Sequence, residues 1–291
     1  MAHTYLVLAI TGLLWGGVYL LMATGLNLIY GVMKVVNMAH GDFIVVGGLL
    51  AVSLFETYRL GPLVALPLAA VLLFIVGLVV RRGLLTYLAS TGPQSELRTL
   101  LATFGVSYIV SNSALLIWGG QYESIPFLQG SLSVGGLYIP EALLVCSVFA
   151  FAIALGMQAW LTGTMTGRLV RATAESELGA ASCGVNIQRV RLFTFALGSA
   201  MAGASGALVV ALIPQQASSG GFLTVQAFTL IALGGLGNYL GALLAALLLG
   251  LAEVGTSYFF GSNAAAGAIY LIFIAVLIFR PQGLLGRRGR I

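Results

Sequence analysis

Residues 222–252 read FLTVQAFTLIALGGLGNYLGALLAALLLGLA and contain no charged side chain over 31 positions. At about 1.5 Å per residue they give roughly 46 Å of helix, whereas two crossings of a ~30 Å hydrocarbon core need about 60 Å. The run is therefore long for one crossing and short for two. Its middle holds four poor helix formers, Gly234, Gly235, Gly237 and Asn238. We predict a discontinuous pair of helices that breaks there, because irregular backbone at membrane depth is tolerated where it lines a cavity.

The composition around this run is that of an integral membrane protein. Of 291 residues, 59% are hydrophobic and 7% are charged, against roughly 25% charged in a soluble domain. Such a chain cannot cover a surface in water, which excludes soluble enzymes, nucleic-acid binders and disordered proteins. Seven further apolar runs are long enough to span a bilayer: Tyr5–Met33, Val35–Phe55, Leu60–Val80, Thr99–Trp118, Glu141–Leu161, Leu192–Ile213 and Ser262–Phe279. We predict an all-α polytopic protein, a single transmembrane domain over residues 1–291, with about seven full transmembrane helices plus the discontinuous pair.

Basic residues orient these spans. The loops around Lys34, Arg81–Arg98, Arg168–Arg191 and Arg280–Arg290 hold 12 of the 13 Lys and Arg residues. Cytoplasmic loops are enriched in Lys and Arg, so the N-terminus is predicted outside and the C-terminus in the cytoplasm. The flanking spans then require residues 222–252 to begin and end on the outer side, which agrees with a broken pair.

The largest predicted cytoplasmic loop covers about residues 163–191. Within it, Ala172–Cys183 is predicted to form one short helix, with Gly184 as the residue after its C-cap. Its small and charged side chains suit a helix that docks in a groove of another protein. From composition alone, an amphipathic connector on the membrane surface is the alternative.

One polar cluster consists of Asn37, His40 and Asp42, predicted at the cytoplasmic mouth beside Lys34. His40 and Asp42 supply at most two ligands, too few for a metal. The other histidine, His3, is predicted on the far side, which leaves no acid–base partner for His40. No metal site is therefore predicted. The cluster is either a structural helix entrance or a gate of a transport pathway.

Further candidates for a pathway lie in the broken run, where freed backbone needs a polar lining. They are Gln226, Thr229, Gly234, Gly235, Gly237, Asn238 and Tyr239. Asn27 lies deep in the first span and must find partners across helices or in a pore. Glu253 and Glu141 are predicted near the outer face, where either anchors the interface or meets a soluble partner.

Several stretches resemble one transporter family. Residues 171–208, RATAESELGAASCGVNIQRVRLFTFALGSAMAGASGAL, contain a segment similar to the Glu-Ala-Ala…Gly coupling loop of ABC importer permeases, although Ser176 and Leu178 follow its two glutamates. Residues 25–48, GLNLIYGVMKVVNMAHGDFIVVGG, resemble the Asn-x-Ala-His-Gly segment of branched-chain amino acid permeases of the hydrophobic amino acid uptake family. Residues 229–251 and 279–286 resemble that family's Gly-rich break and its ending. In order and length, the chain resembles the shorter of the family's two permease subunits.

The resemblance implies a type II ABC importer-like permease in a bacterial inner membrane. The chain would be one translocation-pore subunit of an ATP-driven importer for branched-chain or other hydrophobic amino acids. The loop would dock on an ATPase through these residues: Arg171, Ala172, Glu175, Glu177, Ala180, Ala181, Gly184 and Asn186. The implied partners are a second homologous permease subunit, two ATP-binding cassette subunits, an extracytoplasmic substrate-binding protein and membrane lipid, with no nucleic acid.

The chain itself is predicted not to be an enzyme and to hold no cofactor. It has no Gly-rich phosphate-binding loop, so ATP and Mg would be bound by the partner subunits. One alternative is the same architecture carrying urea, amides or other amino acids. A second is a secondary transporter driven by an ion gradient, which normally has ionisable residues near the membrane midplane. A third, a membrane-embedded enzyme, needs a convergent catalytic set that two distant histidines do not provide.

Overall fold

A computed structural model describes residues 2–88, 95–134, 137–280 and 282–285. In chain order the helices are α1 (Ala2–Met33), α2 (His40–Tyr58), α3 (Pro62–Val80), α4 (Thr86–Leu88), α5 (Ser95–Trp118), α6 (Glu141–Gly163), α7 (Met165–Glu175), α8 (Glu177–Ser182), α9 (Ile187–Val209), α10 (Gly220–Gly234), α11 (Tyr239–Phe260) and α12 (Ser262–Phe279). A π-helical turn at Arg81–Leu85 joins α3 to α4, and a 3-10 turn at Ala217–Ser219 precedes α10. One hairpin pairs β1 (Ser131–Val134) with β2 (Leu137–Pro140). Within these ranges, nine helices are long and apolar enough to cross a membrane, so the predicted all-α architecture is confirmed.

The predicted break in residues 222–252 is also confirmed. α10 ends at Gly234 and α11 begins at Tyr239. Gly235 and Gly237 lie between them with φ of 104° and 80°, a region that glycine adopts without the strain of a side chain. Asn238 then caps α11, because its Oδ1 accepts a hydrogen bond from the Gly241 N–H at 3.1 Å.

Helix α9 occupies the centre of the bundle. It packs against α1, α2 and α3, and 83% of its most apolar stretch is buried. Glycines allow the backbones to approach: a Cβ on Gly206 would lie 1.9 Å from the Ile44 carbonyl oxygen, and one on Gly203 would lie 2.7 Å from the Ala69 carbonyl oxygen. Small residues at helix contacts are typical of membrane bundles, where close packing replaces the hydrophobic drive.

Helix α2 begins inside the bundle rather than at its edge. Its first residue, His40, contacts the Met22 carbonyl oxygen through Nε2 at 2.9 Å. Met22 lies 11 residues before the end of α1 at Met33, which is about 16 Å along the helix. The prediction that the Asn37–Asp42 cluster lies at the mouth beside Lys34 is therefore wrong. Residues 34–39 instead return into the bundle as non-helical chain. Part of the backbone of this segment forms hydrogen bonds with residues that are buried in the bundle.

One end of the bundle, called here the loop end, is formed by three parts of the chain. They are helices α7 and α8, which we call the coupling segment, the break between α10 and α11, and the C-terminal tail. Lys34, Arg171 and Asn238 line the same cavity there. The tail reaches the end of α10, since the N–H groups of Leu284 and Leu285 donate to the last carbonyl groups of that helix at 2.8 and 3.2 Å. The β1–β2 hairpin marks the other end, called the hairpin end.

Candidate functional site

The segment predicted to couple to a partner forms two helices. The single helix predicted over Ala172–Cys183 is wrong, because α7 ends and α8 begins on either side of Ser176. Ser176 is extended, with φ −154° and ψ 109°, and its Oγ accepts the Gly179 N–H at 3.0 Å. A serine that caps a helix in this way satisfies an orphan donor of the first turn, and here that preference interrupts an otherwise helical segment.

The end of α8 is closed as predicted. Gly184 follows the C-cap with φ 81°. Its N–H donates to the Ala181 carbonyl at 2.9 Å, and the Val185 N–H donates to the Ala180 carbonyl at 3.1 Å. These two bonds are those of a Schellman motif. Asn186 comes next and caps α9 through its side chain.

Helices α7 and α8 present a largely exposed surface. Arg171, Ala172 and Glu175 on α7 and Ala181 on α8 are exposed, whereas Ala180 is buried. Leu178 is 81% exposed on the same segment. Small residues around one apolar anchor suit docking in another protein's groove.

Glu177 ties α8 to α9. Arg191 Nε donates to Glu177 Oε1 at 3.0 Å, and Nη2 bonds the same oxygen. The side chain of Glu177 is 42% exposed and that of Arg191 is 23% exposed. Because solvent screens the pair, it contributes roughly 0–1 kcal/mol to the stability of the fold. The pair therefore orients α8 more than it stabilises the fold.

Arg81 lies beneath the start of α9 and is 1% exposed. Its Nη2 donates to Gln188 Oε1 at 3.5 Å, while Nε and Nη1 have no hydrogen-bond partner among the described residues. In the sequence Arg81 looked like one of several loop cations. Its burial makes it part of the support of the coupling segment instead.

A cavity of about 590 Å³ at the loop end brings the coupling segment and the break together. We call it the loop-end cavity. Arg171, Ala174 and Glu175 line it from α7, and Gly237, Asn238 and Tyr239 line it from the break, with Lys34 also on its wall. A smaller void of about 70 Å³ adjoins it and shares Arg171, Ala174 and Tyr239. Members of two groups of residues that were predicted separately from the sequence thus line one cavity.

Hydrogen bonds fix the break to two other helices. Asn27 Oδ1 accepts the Gly237 N–H at 2.9 Å, so the amide of Asn27 finds its partner across helices. The Tyr239 hydroxyl donates to the Ala154 carbonyl of α6. Since α6 leads into α7 through Gly163 and Thr164, the start of α11 and the coupling segment are mechanically linked.

The middle of the bundle holds a junction between the starts of α2 and α10, defined by Asn37, His40, Gly41, Gly220 and Thr224. The Gly41 N–H donates to Thr224 Oγ1 at 2.8 Å. A Cβ on Gly41 would lie 1.9 Å from the Gly220 carbonyl oxygen, which shows how closely the two helix starts pack. His40 is 0% and Asn37 1% exposed. His40 Nδ1 and Asn37 Nδ2 have no hydrogen-bond partner in the described part of the chain.

A second cavity, of about 450 Å³, opens toward the hairpin end. We call it the hairpin-end cavity. Gln226 lines it, as do Tyr19, Gln215 and Glu253, of which Tyr19 and Gln215 had no sequence signal. Glu253 is bonded to the Tyr19 hydroxyl, and its predicted role near the outer face, as an interface anchor or as a contact for a soluble partner, stays a prediction. The one charged residue of α11 turns toward the protein, where the hydroxyl and the polar wall solvate it.

Two of the remaining pathway candidates, Thr229 and Gly234, are held by contacts inside the bundle. Thr229 is 0% exposed, and its Oγ1 donates to the Val225 carbonyl at 2.9 Å within α10. Gly234 packs on α11, because a Cβ there would lie 2.4 Å from the Ala242 nitrogen. Their assignment to a pathway stays a prediction.

Residues 8–279 match the sequence profile of a family described as branched-chain amino acid transport system, permease component. The chain is 29% identical over 298 residues to the high-affinity branched-chain amino acid transport system permease protein BraD of Pseudomonas aeruginosa, covering 98% of this chain and 97% of that protein. It is 27% identical over 288 residues to LivH of Escherichia coli K12, a permease protein of the same description, covering 95% of this chain and 94% of LivH. With LivM of the same organism it shares 26% identity, covering 92% of this chain but 68% of LivM. No solved structure matches the chain significantly.

Proposed function

Because the chain belongs to the branched-chain amino acid transport permease family, we propose that it is one translocation-pore subunit of an ATP-driven importer for branched-chain or other hydrophobic amino acids. The observation that carries this proposal is the loop-end cavity, where α7, the first helix of the exposed α7–α8 segment, and the break line one space. A subunit that docks on α7 and α8 can thus act on the irregular backbone of the break. Irregular backbone of this kind marks transport pathways.

The partners follow from the same surface and from the relatives. Two ATP-binding cassette subunits would bind ATP and Mg, one of them would dock on α7 and α8 of this chain, and this chain would remain a non-catalytic permease. Docking would use Arg171, Ala172 and Glu175 on α7, and Glu177 and Leu178 on α8. Since LivH and LivM are both named as permease proteins of a branched-chain amino acid transport system, a second homologous permease is proposed to complete the pore. An extracytoplasmic substrate-binding protein would deliver substrate to the hairpin end.

The proposed orientation places the loop end in the cytoplasm of a bacterial cell and the N-terminus outside the inner membrane. It is supported by the basic residues gathered at the loop end, which include Lys34, Arg171 and Arg191. Cytoplasmic loops carry an excess of such residues. Nine spanning helices in the described ranges would place the two termini on opposite sides.

A secondary transporter is the second candidate, because one observation favours it. Asp42 is 3% exposed and accepts a hydrogen bond from Ser107 Oγ at 2.5 Å, deep in the bundle. Buried intramembrane acids are typical of ion-coupled transport. The competing explanation is local: Asp42 lies in the first turn of α2, where a carboxylate is stabilised by the helix dipole.

Reconstitution separates these functions. The chain is placed in proteoliposomes with its second permease, the ATPase subunits and the binding protein, and uptake of labelled leucine is measured with and without internal ATP. We expect uptake that needs every component and ATP, and that is unaffected by ionophores. Uptake by this chain alone, driven by an ion gradient, would overturn the proposal. Uptake of urea or acetamide in place of leucine would keep the architecture and change the substrate.

A further inference from the structure

The hairpin-end cavity contains an acid for which the described residues provide no counter-charge. Glu253 lies on α11, seven residues before this helix ends at Phe260, which is about 10 Å along the helix. It lines the cavity, and no Lys, Arg or His is among the described residues that line it. An acid in a membrane-spanning helix is costly and is typical of a functional site. A ligand with a positive charge would supply the missing counter-charge.

One oxygen of this acid is available to a ligand. The Tyr19 hydroxyl bonds Oε2 of Glu253. No hydrogen bond from a described residue reaches Oε1, and this oxygen is not one of the buried atoms that lack a partner, so it keeps accessible surface on the cavity wall. An ionised carboxylate has about four lone-pair sites. Oε1 can therefore accept hydrogen bonds from an ammonium group.

Aromatic rings surround the acid. Trp15, Tyr19, Tyr122 and Phe222 all line the cavity. The rings of Trp15 and Tyr19 have centroids 5.8 Å apart, and Tyr19 also contacts Glu253, so the indole and the carboxylate lie close together on one wall. The face of an aromatic ring attracts a cation, and tryptophan does so most strongly. A carboxylate beside aromatic rings is the chemistry that recognises an organic ammonium ion.

The size and lining of the cavity favour an organic cation over a metal ion. Its volume of about 450 Å³ lies within the range of small-molecule sites, roughly 300–1,000 Å³. A hard metal ion takes about six oxygen ligands, whereas the described part of the chain has no group of three or more His, Cys, Asp or Glu that could hold a metal. Val18, Met22, Leu223 and Ile269 add apolar surface. The ligand that fits this wall has one positive charge and a hydrocarbon body.

We infer that the hairpin-end cavity binds small apolar amines in their ammonium form. Glu253 accepts hydrogen bonds from the ammonium group, and Trp15 and Phe222 pack against the hydrocarbon part. A free carboxylate on the ligand weakens binding, because it would lie near Glu253 and like charges side by side are unfavourable. The inference goes beyond the proposed function, since it assigns to this chain alone a class of ligand that has no carboxylate.

Binding is measured on the purified full chain in nanodiscs of phosphatidylcholine, a lipid without net charge. Trp118 and Trp160 are replaced by Phe, so that Trp15, the remaining one of three tryptophans, reports on the cavity. Four ligands share one branched skeleton: isoamylamine, isoamyl alcohol, isocaproate and leucine. We expect isoamylamine to change the fluorescence of Trp15 saturably. The other three should bind about tenfold or more weakly, since each lacks the charge-assisted hydrogen bond or adds a carboxylate.

Two variants assign the effect to the acid. Glu253→Gln keeps the shape of the side chain and removes its charge, so it should weaken isoamylamine by about tenfold or more and leave isoamyl alcohol within about twofold. Glu141→Gln removes an acid that does not line this cavity, and as the matched control it should change neither affinity. Unchanged binding of isoamylamine to Glu253→Gln would overturn the inference.

The wild type decides alone if Glu253→Gln fails to fold. Preference for isoamylamine over isoamyl alcohol then supports the inference, and equal affinities, or equally tight binding of isocaproate, overturn it. Leucine uptake by the complete transporter is measured separately. Preferential amine binding without leucine uptake would defeat the proposed function and keep the inference, whereas leucine uptake without a preference for the amine would defeat the inference alone.

Discussion

Replacement of Gly184 tests the coupling segment at a single backbone position. Gly184 has φ 81°, and no atom lies within 4 Å of the place that a Cβ would take, so the cost of a side chain is conformational rather than steric. An ordinary L-residue in this left-handed region costs roughly 1–2 kcal/mol, and asparagine tolerates it better. Proline cannot adopt it, and it also removes the N–H bond to Ala181, worth about 0.5–1.5 kcal/mol.

The expected order of effects is Asn, then Ala, then Pro. A cost of 1–2 kcal/mol lowers the population of the closed α8 terminus by up to about 5–30-fold, and the apparent affinity for a docking partner falls with that population. In reconstituted vesicles, Gly184→Asn should couple ATP hydrolysis to leucine uptake almost as the wild type does. Gly184→Ala should reduce uptake per ATP severalfold, and Gly184→Pro should abolish uptake while ATP hydrolysis continues.

Gly163→Ala is the matched control for this series. Gly163 ends α6 close to the coupling segment, and a Cβ there also meets no atom within 4 Å, but its φ is not in the left-handed region. It should therefore behave like the wild type. Normal uptake per ATP in Gly184→Pro, with the same amount of inserted protein, would show that this loop does not couple.

Three further outcomes are expected. In a background without native cysteines, a membrane-impermeant thiol reagent should label Leu178→Cys and Leu132→Cys from opposite sides, and labelling from one side would break the proposed topology. Gly235→Leu places a side chain at φ 104°, and it should reduce transport more than it reduces the amount of folded protein; equal losses would make the break merely structural. Glu177→Arg should lower uptake per ATP, and adding Arg191→Glu should restore it if the pair acts by orienting α8; no rescue would assign Glu177 to direct docking.

The features that the sequence predicted well are those set by residues close together in the chain. The break at Gly234–Asn238 depends on neighbouring glycines and a cap, and the length of the run together with the orientation of the flanking spans predicted it. The turn at Ser176 was equally local, and Ser176 with Gly179 was its signal, but the helical pattern of the small residues around it outweighed that signal.

What could not be predicted depends on contacts between distant parts of the chain. The depth of α2 is set by bonds such as that from Gly41 to Thr224, 183 positions apart. The role of Glu253 depends on Tyr19, 234 positions apart. No periodicity within a span indicates which residue of another helix will face it, so the hairpin-end cavity became visible only in the folded structure.

The junction between α2 and α10 relates the hairpin-end cavity to the loop-end cavity. The hairpin-end cavity reaches Met22 of α1 and the loop-end cavity begins at Gly31, a separation of about 14 Å along the helix. The junction contacts α1 at Met22 through His40. Two buried donor or acceptor positions there, on His40 and Asn37, have no partner in the described ranges, and each costs about 1–3 kcal/mol. A conformation in which the helix starts separate would let both groups bond to water or substrate. The same polar atoms that weaken the closed junction would therefore favour an open one, and this is the physical reason for which Asn37 and His40 stay predicted as parts of a gate.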